Sequence, residues 1–333
     1  MSPIREVAEH AGVSSTTVSH VINNTRFVSE AVRRRVEVAM KELGYRPNTL
    51  ARSLRRGETH TLGLVLPDSA NPFFAEMARA VEYAAFGFGY SVVICNTEDD
   101  LAKESHYVEV LTNQQVDGII FIAAGEQRGA NHKLKQQCPP LVLVDRDLGD
   151  VQLDTVLADN HQGGYLAGRH LIETGCRRLA CITGPSNVNP SAQRVTGFLK
   201  AMNEANLSCP EEWICRGDFH PSSGYRTAQG LFALPNPPDG IFACNDLMAI
   251  GALRAALENK YAVPSELGII GFDDIELASY VFPPLTTISQ PKAQMAQLSV
   301  QLLVERISDG DRSARGLLLP TQLIQRQSTR RLE

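Results

Sequence analysis

The sequence predicts an α+α/β protein with three parts: an N-terminal helix-turn-helix head, a hinge helix and a two-lobed α/β core. Apolar residues recur at helical spacing on both sides of an early glycine, which indicates the head. A short arginine-rich segment between a proline and a glycine follows, and we interpret it as the hinge. From residue 61 on, short apolar runs alternate with helix-like stretches, as is typical of parallel α/β lobes. We place the three parts at residues 1–46, 47–60 and 61–333.

The first helix of the head is predicted to have Ser2 as its cap and Pro3 at its first helical position, where the missing N–H of proline costs nothing. Gly12 supplies the turn after this helix, and Ser14 is a good cap for the next one. The apolar face of the first helix is formed by residues at helical spacing, namely Ile4, Val7, Ala8 and Ala11.

The second helix divides into an apolar arc and a polar arc when its residues are placed about 100° apart. Val18, Val21 and Ile22 share the apolar arc, which is expected to pack on the first helix. The outward arc carries Ser15, Thr16, Ser19 and His20. Short hydroxyls and a donor one turn later suit the base edges and phosphates of a DNA major groove. The predicted DNA contacts of the head are Ser15, Thr16, Thr17, His20 and Asn23.

A third helix is expected to be capped by Ser29 and to end at Gly44. Its inward residues are predicted to be Val32, Val36, Ala39, Met40 and Leu43. On these residues alone, the alternative to a DNA-reading head is an ordinary helical hairpin with a polar outer face.

The hinge segment runs from Pro47 to Gly57 and holds only about two helical turns, too few for a stable isolated helix. Leu54 lies among arginines, so the segment is suited to fold when a duplex and a partner chain are present. We predict that Leu54 acts as an apolar wedge in the minor groove and that Arg55 also contacts DNA. The alternative is a basic linker that happens to contain leucines.

The charge distribution agrees with a DNA-binding head. Residues 1–60 hold 10 lysines and arginines against 6 aspartates and glutamates, a net charge of +4, whereas the whole chain carries −5. An acidic protein with a basic head indicates that nucleic acid meets only the head.

The bulk composition is that of an ordinary globular protein, with 43% hydrophobic and 21% charged residues. No apolar run is long enough for a membrane span, and no charged-then-apolar leader is present, so we expect a cytoplasmic protein without membrane contact. The 7 cysteines form no CxxC pair and no metal-ligand spacing, which predicts reduced thiols, no metal site and no cofactor.

In the core, we expect two parallel sheets in tandem lobes, with a ligand cleft at the carboxyl ends of the strands. The predicted strands are residues 61–66, 91–95, 118–122, 141–144, 179–183, 240–244 and 267–271. The residues that follow strands mix aromatic rings, carboxylates, arginines and amides, which is the chemistry that a polyhydroxy ligand requires. Each is also a plausible helix cap, turn or core residue. The candidate effector-binding residues are Asn71, Phe73, Phe74, Asp145, Arg146, Arg194, Phe219, Asn245, Asp273 and Gln290.

Several motifs resemble those of the lactose/galactose repressor family of bacterial transcription regulators, over nearly the whole length. In the head, Ser19–Asn23 and Thr25–Val28 are similar to the ribose and purine members. In the core, the similarity lies in Val116–Ile120, Ile270–Asp274 and Pro283–Pro291.

The resemblance implies a homodimer that binds a palindromic operator, with the hinge helices paired in the minor groove. By residue matching, Ser15, Thr16 and His20 would read bases, and Leu54 would insert and kink the central step. The core would be like periplasmic sugar-binding proteins, with one lobe at residues 61–159 plus 292–320 and the other at 160–291 plus 321–333. No leucine heptad follows Arg326, so a dimer rather than a tetramer is expected.

The effector is predicted to be D-ribose acting as an inducer, because the ten cleft candidates match the ribose sites of related sugar-binding proteins. The purine-type repressor differs at Val188, Pro190, Arg146 and Asn245, where it has arginine, threonine, an aromatic residue and glycine. The ribose repressor has tryptophan at the position of Arg146, so the match of the ten candidates combines features of more than one related protein. A purine, a different pentose and a sugar phosphate are the alternatives.

The sequence argues against two other classes of protein. A transport-type sugar-binding protein would lack the DNA-reading head. An enzyme on an open α/β sheet would be expected to carry a GxGxxG, phosphate-loop, GxSxG or HExxH motif, and none is present, so no catalytic residue is predicted.

Overall fold

The computed structural model describes residues 4–45, 58–123, 138–146, 153–185 and 189–330, which belong to two compact units, residues 1–59 and 60–333. Most of the predicted hinge, including Leu54 and Arg55, lies outside the described residues, as does Val188. The predicted fold class is confirmed: a helix-turn-helix head and a two-sheet α/β core.

The head consists of three helices, α1 (Ile4–Ala11), α2 (Ser15–Asn23) and α3 (Glu30–Glu42). Gly12 has φ 63°, a left-handed conformation that glycine adopts without steric cost, and so turns the chain between α1 and α2. Ser14 Oγ accepts a hydrogen bond from the Thr17 N–H and caps α2 as predicted. The buried side chains of the three helices are Val7, Ala8, Ala11, Val18, Val21, Val36 and Ala39.

Ser29 differs from its prediction. It occupies the position before α3, but its side chain makes no capping hydrogen bond. Glu30 in the first turn places a negative charge near the helix N-terminus, which stabilises that end without a cap.

The first sheet of the core, sheet A, has six parallel strands in the order β11-β5-β4-β3-β1-β2. Its strands are β1 (Thr61–Leu66), β2 (Ser91–Asn96), β3 (Gly118–Phe121), β4 (Leu141–Val144), β5 (Asp154–Ala158) and β11 (Gly316–Leu319).

The second sheet, sheet B, has the order β12-β10-β9-β8-β6-β7 and is parallel except where β12 pairs antiparallel with β10. Its strands are β6 (Leu179–Thr183), β7 (Ile214–Arg216), β8 (Gly240–Ala243), β9 (Gly268–Asp273), β10 (Thr286–Ser289) and β12 (Gln322–Ile324).

The core helices connect the strands and pack as neighbouring pairs, most extensively α6 with α7, α8 with α9 and α4 with α10. These helices are α4 (Pro72–Gly87), α5 (Leu101–Asn113), α6 (Asn160–Glu173), α7 (Asn189–Glu204), α8 (Pro221–Phe232), α9 (Asp246–Glu258) and α10 (Lys292–Ser308). Within the described residues, no helix combines the length and the apolar character that a membrane span requires.

The chain passes between the two sheets three times. It leaves sheet A after β5, returns after β10 through α10, which packs on β3, β4 and β5, and leaves again between β11 and β12. The carboxyl ends of parallel strands from both sheets therefore meet at the place where the chain crosses, and this positions the candidate site.

Sequence reasoning was wrong about some strands. The apolar run at residues 91–95 predicts a strand covered on both faces, but β2 lies at the edge of sheet A, with Val93 and Ile94 exposed. The alternation of apolar runs and helix-like stretches predicts a helix after β4, but the next described element is the strand β5. The residues of β5 alternate between buried and half-buried, so they do not form the continuous apolar run that predicts the other strands. The sequence analysis also missed the short strands β7, β10, β11 and β12.

Candidate functional site

A small cavity lies between the carboxyl ends of the two sheets, where ligands of parallel α/β sheets bind. Nine of the ten effector candidates line it, together with Pro190. The tenth, Gln290, donates a hydrogen bond from Nε2 to Asp273 Oδ1 at 2.8 Å and so supports the lining from behind. The sheet-A wall is formed by Asn71, Phe73, Phe74, Asp145 and Arg146, and the sheet-B wall by Pro190, Arg194, Phe219, Asn245 and Asp273.

The start of α4 supplies the aromatic part of the sheet-A wall. Asn71 Oδ1 accepts the Phe73 N–H at 3.1 Å and thereby caps the helix. The Phe73 and Phe74 rings pack edge to face, with centroids 5.1 Å apart, and the Arg146 guanidinium lies 5.7 Å from the Phe74 centroid. These rings form an apolar surface that is bordered by charge.

Asp145 and Arg146, which follow β4, supply the charged part of the sheet-A wall. Arg146 Nη1 donates to the Ala123 carbonyl and lies 3.6 Å from Asp99 Oδ1, while Arg146 Nε is 3.8 Å from Asp145 Oδ2. Burial raises the pKa of Asp145, and the neighbouring charges of Arg146 and Arg194 oppose that rise. Asp145 Oδ1 and Arg146 Nε are buried and have no hydrogen-bond partner among the described residues. Such atoms favour a bound polar ligand.

Arg194 on α7 is the central cation of the sheet-B wall. Its Nε donates to Asn160 Oδ1 at 2.8 Å and its Nη1 to the Cys244 carbonyl at 2.5 Å. The same Nη1 lies 3.5 Å from Asp273 Oδ1, and the guanidinium stacks 3.7 Å from the Phe272 ring centroid.

The close approach of α6 and α7 places Arg194. A Cβ on Gly164 would lie 1.9 Å from the Arg194 carbonyl oxygen, so only glycine permits this packing. The glycine on α6 thus fixes the distance between Arg194 and its partner Asn160.

Asn245 and Phe219 form the remaining part of the sheet-B wall. Asn245 Oδ1 caps α9 by accepting the Met248 N–H, and its Nδ2 donates to the Phe219 carbonyl, both at 2.9 Å. Phe219 adopts φ 68°, a conformation uncommon for a bulky residue. The hydrogen bond from Asn245 therefore helps to hold the aromatic ring at the cavity.

Asp273 ends β9 and has a second buried carboxylate, Asp246, beside it. Burial raises the pKa of Asp273 to about 6, although Arg194, Gln290 and Lys292 oppose the rise. Burial also raises the pKa of Asp246 well above its usual range, and the charge of Asp273 adds to that effect.

Asp246 is held by neighbouring donors rather than aimed at the cavity. It accepts hydrogen bonds from the Ile275 N–H at 2.9 Å and from Thr287 Oγ1 at 2.5 Å. Its role is to anchor the turn that follows Asp273.

The charged side chains that line the cavity balance. Two buried carboxylates, Asp145 and Asp273, are matched by two buried arginines, Arg146 and Arg194. A balanced, partly aromatic cavity suits a neutral ligand with several hydroxyl groups. Among the described residues, no group of histidines, cysteines and carboxylates is arranged to hold a metal ion.

The outward face of α2 contains the predicted DNA contacts of the head. Thr16 is exposed and Ser15 half-buried. His20 Nδ1 lies 2.8 Å from Thr25 Oγ1, and Thr17 Oγ1 lies 2.9 Å from Ser14 Oγ. Asn23 Nδ2 donates to the Ser19 carbonyl at 2.9 Å. Thr17, His20 and Asn23 therefore form hydrogen bonds within the head, and the DNA role of all five residues stays a prediction.

Sequence reasoning missed the residues that support the cavity from behind. Asn160 and Asp99 contact the two arginines, and Glu76 and Lys292 contact the turn after β9. Their partners lie far away in sequence, so no local pattern connects them. Asp246 is the supporting residue that the sequence could have indicated, because it directly follows the candidate Asn245.

Two family models match the chain. "Bacterial regulatory proteins, lacI family" matches residues 3–48, and "Periplasmic binding protein-like domain" matches residues 169–329. The HTH-type transcriptional repressor PurR of Aliivibrio salmonicida is 39% identical over 333 residues, with full coverage of both chains. The ribose operon repressor of Escherichia coli K12 is 40% identical over 330 residues, covering 98% of this chain and 100% of the relative.

Solved structures agree with these similarities. The lac repressor dimer bound to operator and an anti-inducer matches with a TM-score of 0.90 and 28% identity, covering 98% of this chain and 99% of that one. A lacI-family regulator from Enterococcus faecium with bound ribose matches with a TM-score of 0.72 and 30% identity, covering 81% of this chain and 98% of that one.

Proposed function

The chain belongs to the lacI family of bacterial regulatory proteins, which are DNA-binding repressors and not enzymes, and we propose that D-ribose is its effector and acts as an inducer. The observation that carries the proposal is the cavity between the sheets. It combines the edge-to-face pair Phe73 and Phe74 with buried polar atoms of Asp145 and Arg146 that have no hydrogen-bond partner among the described residues. Rings cover the apolar face of a sugar, and carboxylate and guanidinium groups bind its hydroxyls.

A neutral sugar fits the charges better than a sugar phosphate does. Arg194 is already bonded to Asn160 and the Cys244 carbonyl, and Arg146 is bonded to the Ala123 carbonyl. A phosphate would therefore add negative charge beside the buried carboxylates of Asp145 and Asp273.

A purine is the second candidate effector, because a purine-type repressor is similar over the full length. A flat purine would also stack on the phenylalanine pair. The cavity favours ribose because Arg146 and Asn245 place polar groups on both walls, where a polyhydroxy ligand has donors and acceptors to meet them.

The DNA-binding part of the function belongs to the head, residues 1–46, and the hinge, residues 47–60. In this proposal Ser15, Thr16, Thr17, His20 and Asn23 contact a palindromic operator through a homodimer. Exposed aromatic side chains in the core offer apolar area for a second copy to bury, namely Tyr83, Phe86, Tyr280 and Phe282, each more than three-quarters exposed.

We assign residues 61–159 with 292–320 to one lobe of the effector core and residues 160–291 with 321–333 to the other. Ribose would shift operator affinity only through its preference for one arrangement of the lobes, typically by about 1–3 kcal/mol. We place the protein in the cytoplasm, where the operator is.

The test is thermal unfolding of the purified protein with D-ribose, D-ribose 5-phosphate, hypoxanthine and guanine, each in large excess. A ligand at about 100 times its Kd stabilises by about 2.7 kcal/mol, which shifts Tm by several degrees. A shift with ribose alone, together with weaker operator binding in its presence, supports the proposal. A shift with a purine alone rejects ribose and leaves the family assignment intact.

A further inference from the structure

The turn after β9 has an unusual backbone. Asp273 and Asp274 both have positive φ, 109° and 52°, a region that residues with a Cβ rarely adopt. Two such residues in succession persist only where neighbouring groups hold them. Because Asp273 lines the cavity, whatever holds this turn also sets the position of a proposed effector-binding carboxylate.

The Lys292 side chain binds the backbone of the turn. Its Nζ donates to the Asp273 carbonyl at 2.8 Å and to the Asp274 carbonyl at 2.6 Å. The same Nζ lies 2.8 Å from Glu76 Oε2. Glu76 Oε1 in turn accepts the Glu276 N–H at 2.9 Å. The two side chains therefore bond to one another and to three backbone groups of the turn.

These contacts cross between the two sides of the cleft. Glu76 lies on α4 and Lys292 begins α10, and these helices pack together, α10 resting on strands of sheet A. The turn itself extends from β9 of sheet B. Its other anchors, Asp246 and Arg326, lie on the sheet-B side, beside β8 and β12.

α4 also supplies the aromatic wall of the cavity. Phe73 lies three residues before Glu76, less than one helical turn, so the two side chains move with the same helix. A ligand between Phe73 and Asp273 therefore lies between two surfaces that the Glu76–Lys292 pair joins directly.

We propose that Glu76 and Lys292 form a latch between the lobes that positions Asp273 for the effector. The proposal rests on the proposed function in taking the cavity as the ribose site. The latch differs from an ordinary surface ion pair, because both side chains are at least four-fifths buried and both bond to backbone groups.

The experiment compares the full-length wild-type protein with Lys292→Met, Lys292→Arg, Glu76→Ala and the Glu76→Ala/Lys292→Met double variant. Glu173→Gln, which breaks an exposed ion pair with Arg169 on α6, is the matched control. Two quantities are measured: hydrogen exchange of the peptide that contains Glu276, without ligand, and the Kd for D-ribose by calorimetry. Circular dichroism checks that each variant is folded.

The latch predicts that Lys292→Met and Glu76→Ala each speed exchange at Glu276 and weaken ribose binding by about tenfold or more. The double variant should be no worse than the poorer single variant, since each change removes the same unit. Lys292→Arg should recover part of the affinity, and Glu173→Gln should change Kd by less than about twofold.

Wild-type exchange and wild-type ribose affinity in both single variants would overturn the latch. Additive losses in the double variant would overturn it as well, because the two side chains would then act separately. If the wild-type protein does not bind ribose, the proposed effector is wrong. The exchange of the Glu276 peptide then still decides whether the latch holds the turn.

Discussion

The two walls of the cavity differ in how completely their polar groups are bonded. On the sheet-B wall, Arg194 and Asn245 each make two hydrogen bonds to the protein, and Asp273 accepts one from Gln290. On the sheet-A wall, Asp145 Oδ1 and Arg146 Nε are buried without a partner among the described residues. Gln290 Oε1 shares this property, but Gln290 is not part of the lining.

This difference indicates two roles. The sheet-B wall is already organised by its own hydrogen bonds, so a ligand finds it in place. On the sheet-A wall, the buried polar atoms without a partner among the described residues would gain hydrogen bonds from a ligand. Substitutions on the sheet-B wall should therefore lower both stability and ligand affinity. Substitutions on the sheet-A wall should lower ligand affinity without lowering stability.

The largest effect is expected from Arg194→Ala. The change removes the cation that bonds Asn160 and the Cys244 carbonyl and that faces Asp273. Calorimetry should find ribose binding weakened by about a hundredfold or more, and Tm without ligand should fall by several degrees. Unchanged Tm would contradict the view that this wall is organised by its own bonds. Arg194→Lys, which keeps the charge but not the planar fork, should recover only part of the loss.

Asp145→Asn should separate stability from binding. Burial raises the pKa of Asp145, which means that the charged carboxylate is costly to bury, and asparagine also tolerates its φ of 66°. We expect Tm without ligand to rise slightly and ribose affinity to fall by about tenfold. A fall in Tm as large as that of Arg194→Ala would remove the distinction between the walls. Paired thermal melts and titrations of the two variants decide the point.

The pH dependence of stability should reflect Asp273. Its pKa is raised from 3.8 to about 6 in the folded protein, so its contribution to stability is present below pH 3.8 and is lost as the pH rises through 6. Relative to Asp273→Asn, the wild-type protein without ligand should lose stability between about pH 4 and 7. Denaturant unfolding across this range measures the difference. Parallel profiles for the two proteins would show that Asp273 does not titrate there.

The smallest effect comes from a matched pair of helix caps, one on each wall. Asn71 caps α4 and Asn245 caps α9, but Asn245 also donates to the Phe219 carbonyl. Replacing a cap by alanine costs about 1 kcal/mol, and losing a second buried hydrogen bond adds about 1 kcal/mol. Asn245→Ala should therefore lower the free energy of unfolding more than Asn71→Ala does. The reverse order would argue against a better-bonded sheet-B wall.

The sequence predicts the fold well where one signal is strong. The apolar runs at Thr61–Leu66, Leu141–Val144 and Leu179–Thr183 are strands with the predicted bounds. The strands that were missed are short or half-exposed, and their existence depends on a partner strand distant in sequence. β12, for example, is defined by its pairing with β10.

The sequence predicts which residues belong to the candidate site, but not the contacts that position them. Residues that follow strands of parallel sheets meet at one edge, and nine of the ten candidates do line one cavity. The contacts behind them, such as Lys292 with the Asp273 carbonyl, join segments through backbone groups that carry no sequence signature. Whether the lining residues bind the effector stays a prediction.

The three crossings between the sheets constrain how such a protein can change over evolution. Each sheet is assembled from separate stretches of the chain, so recombination cannot exchange one lobe as a single piece of gene. The first compact unit is one continuous stretch, residues 1–59, and can be exchanged by a single crossover. A single crossover can therefore join this unit to a different complete core, whereas one lobe of the core cannot be exchanged in the same way.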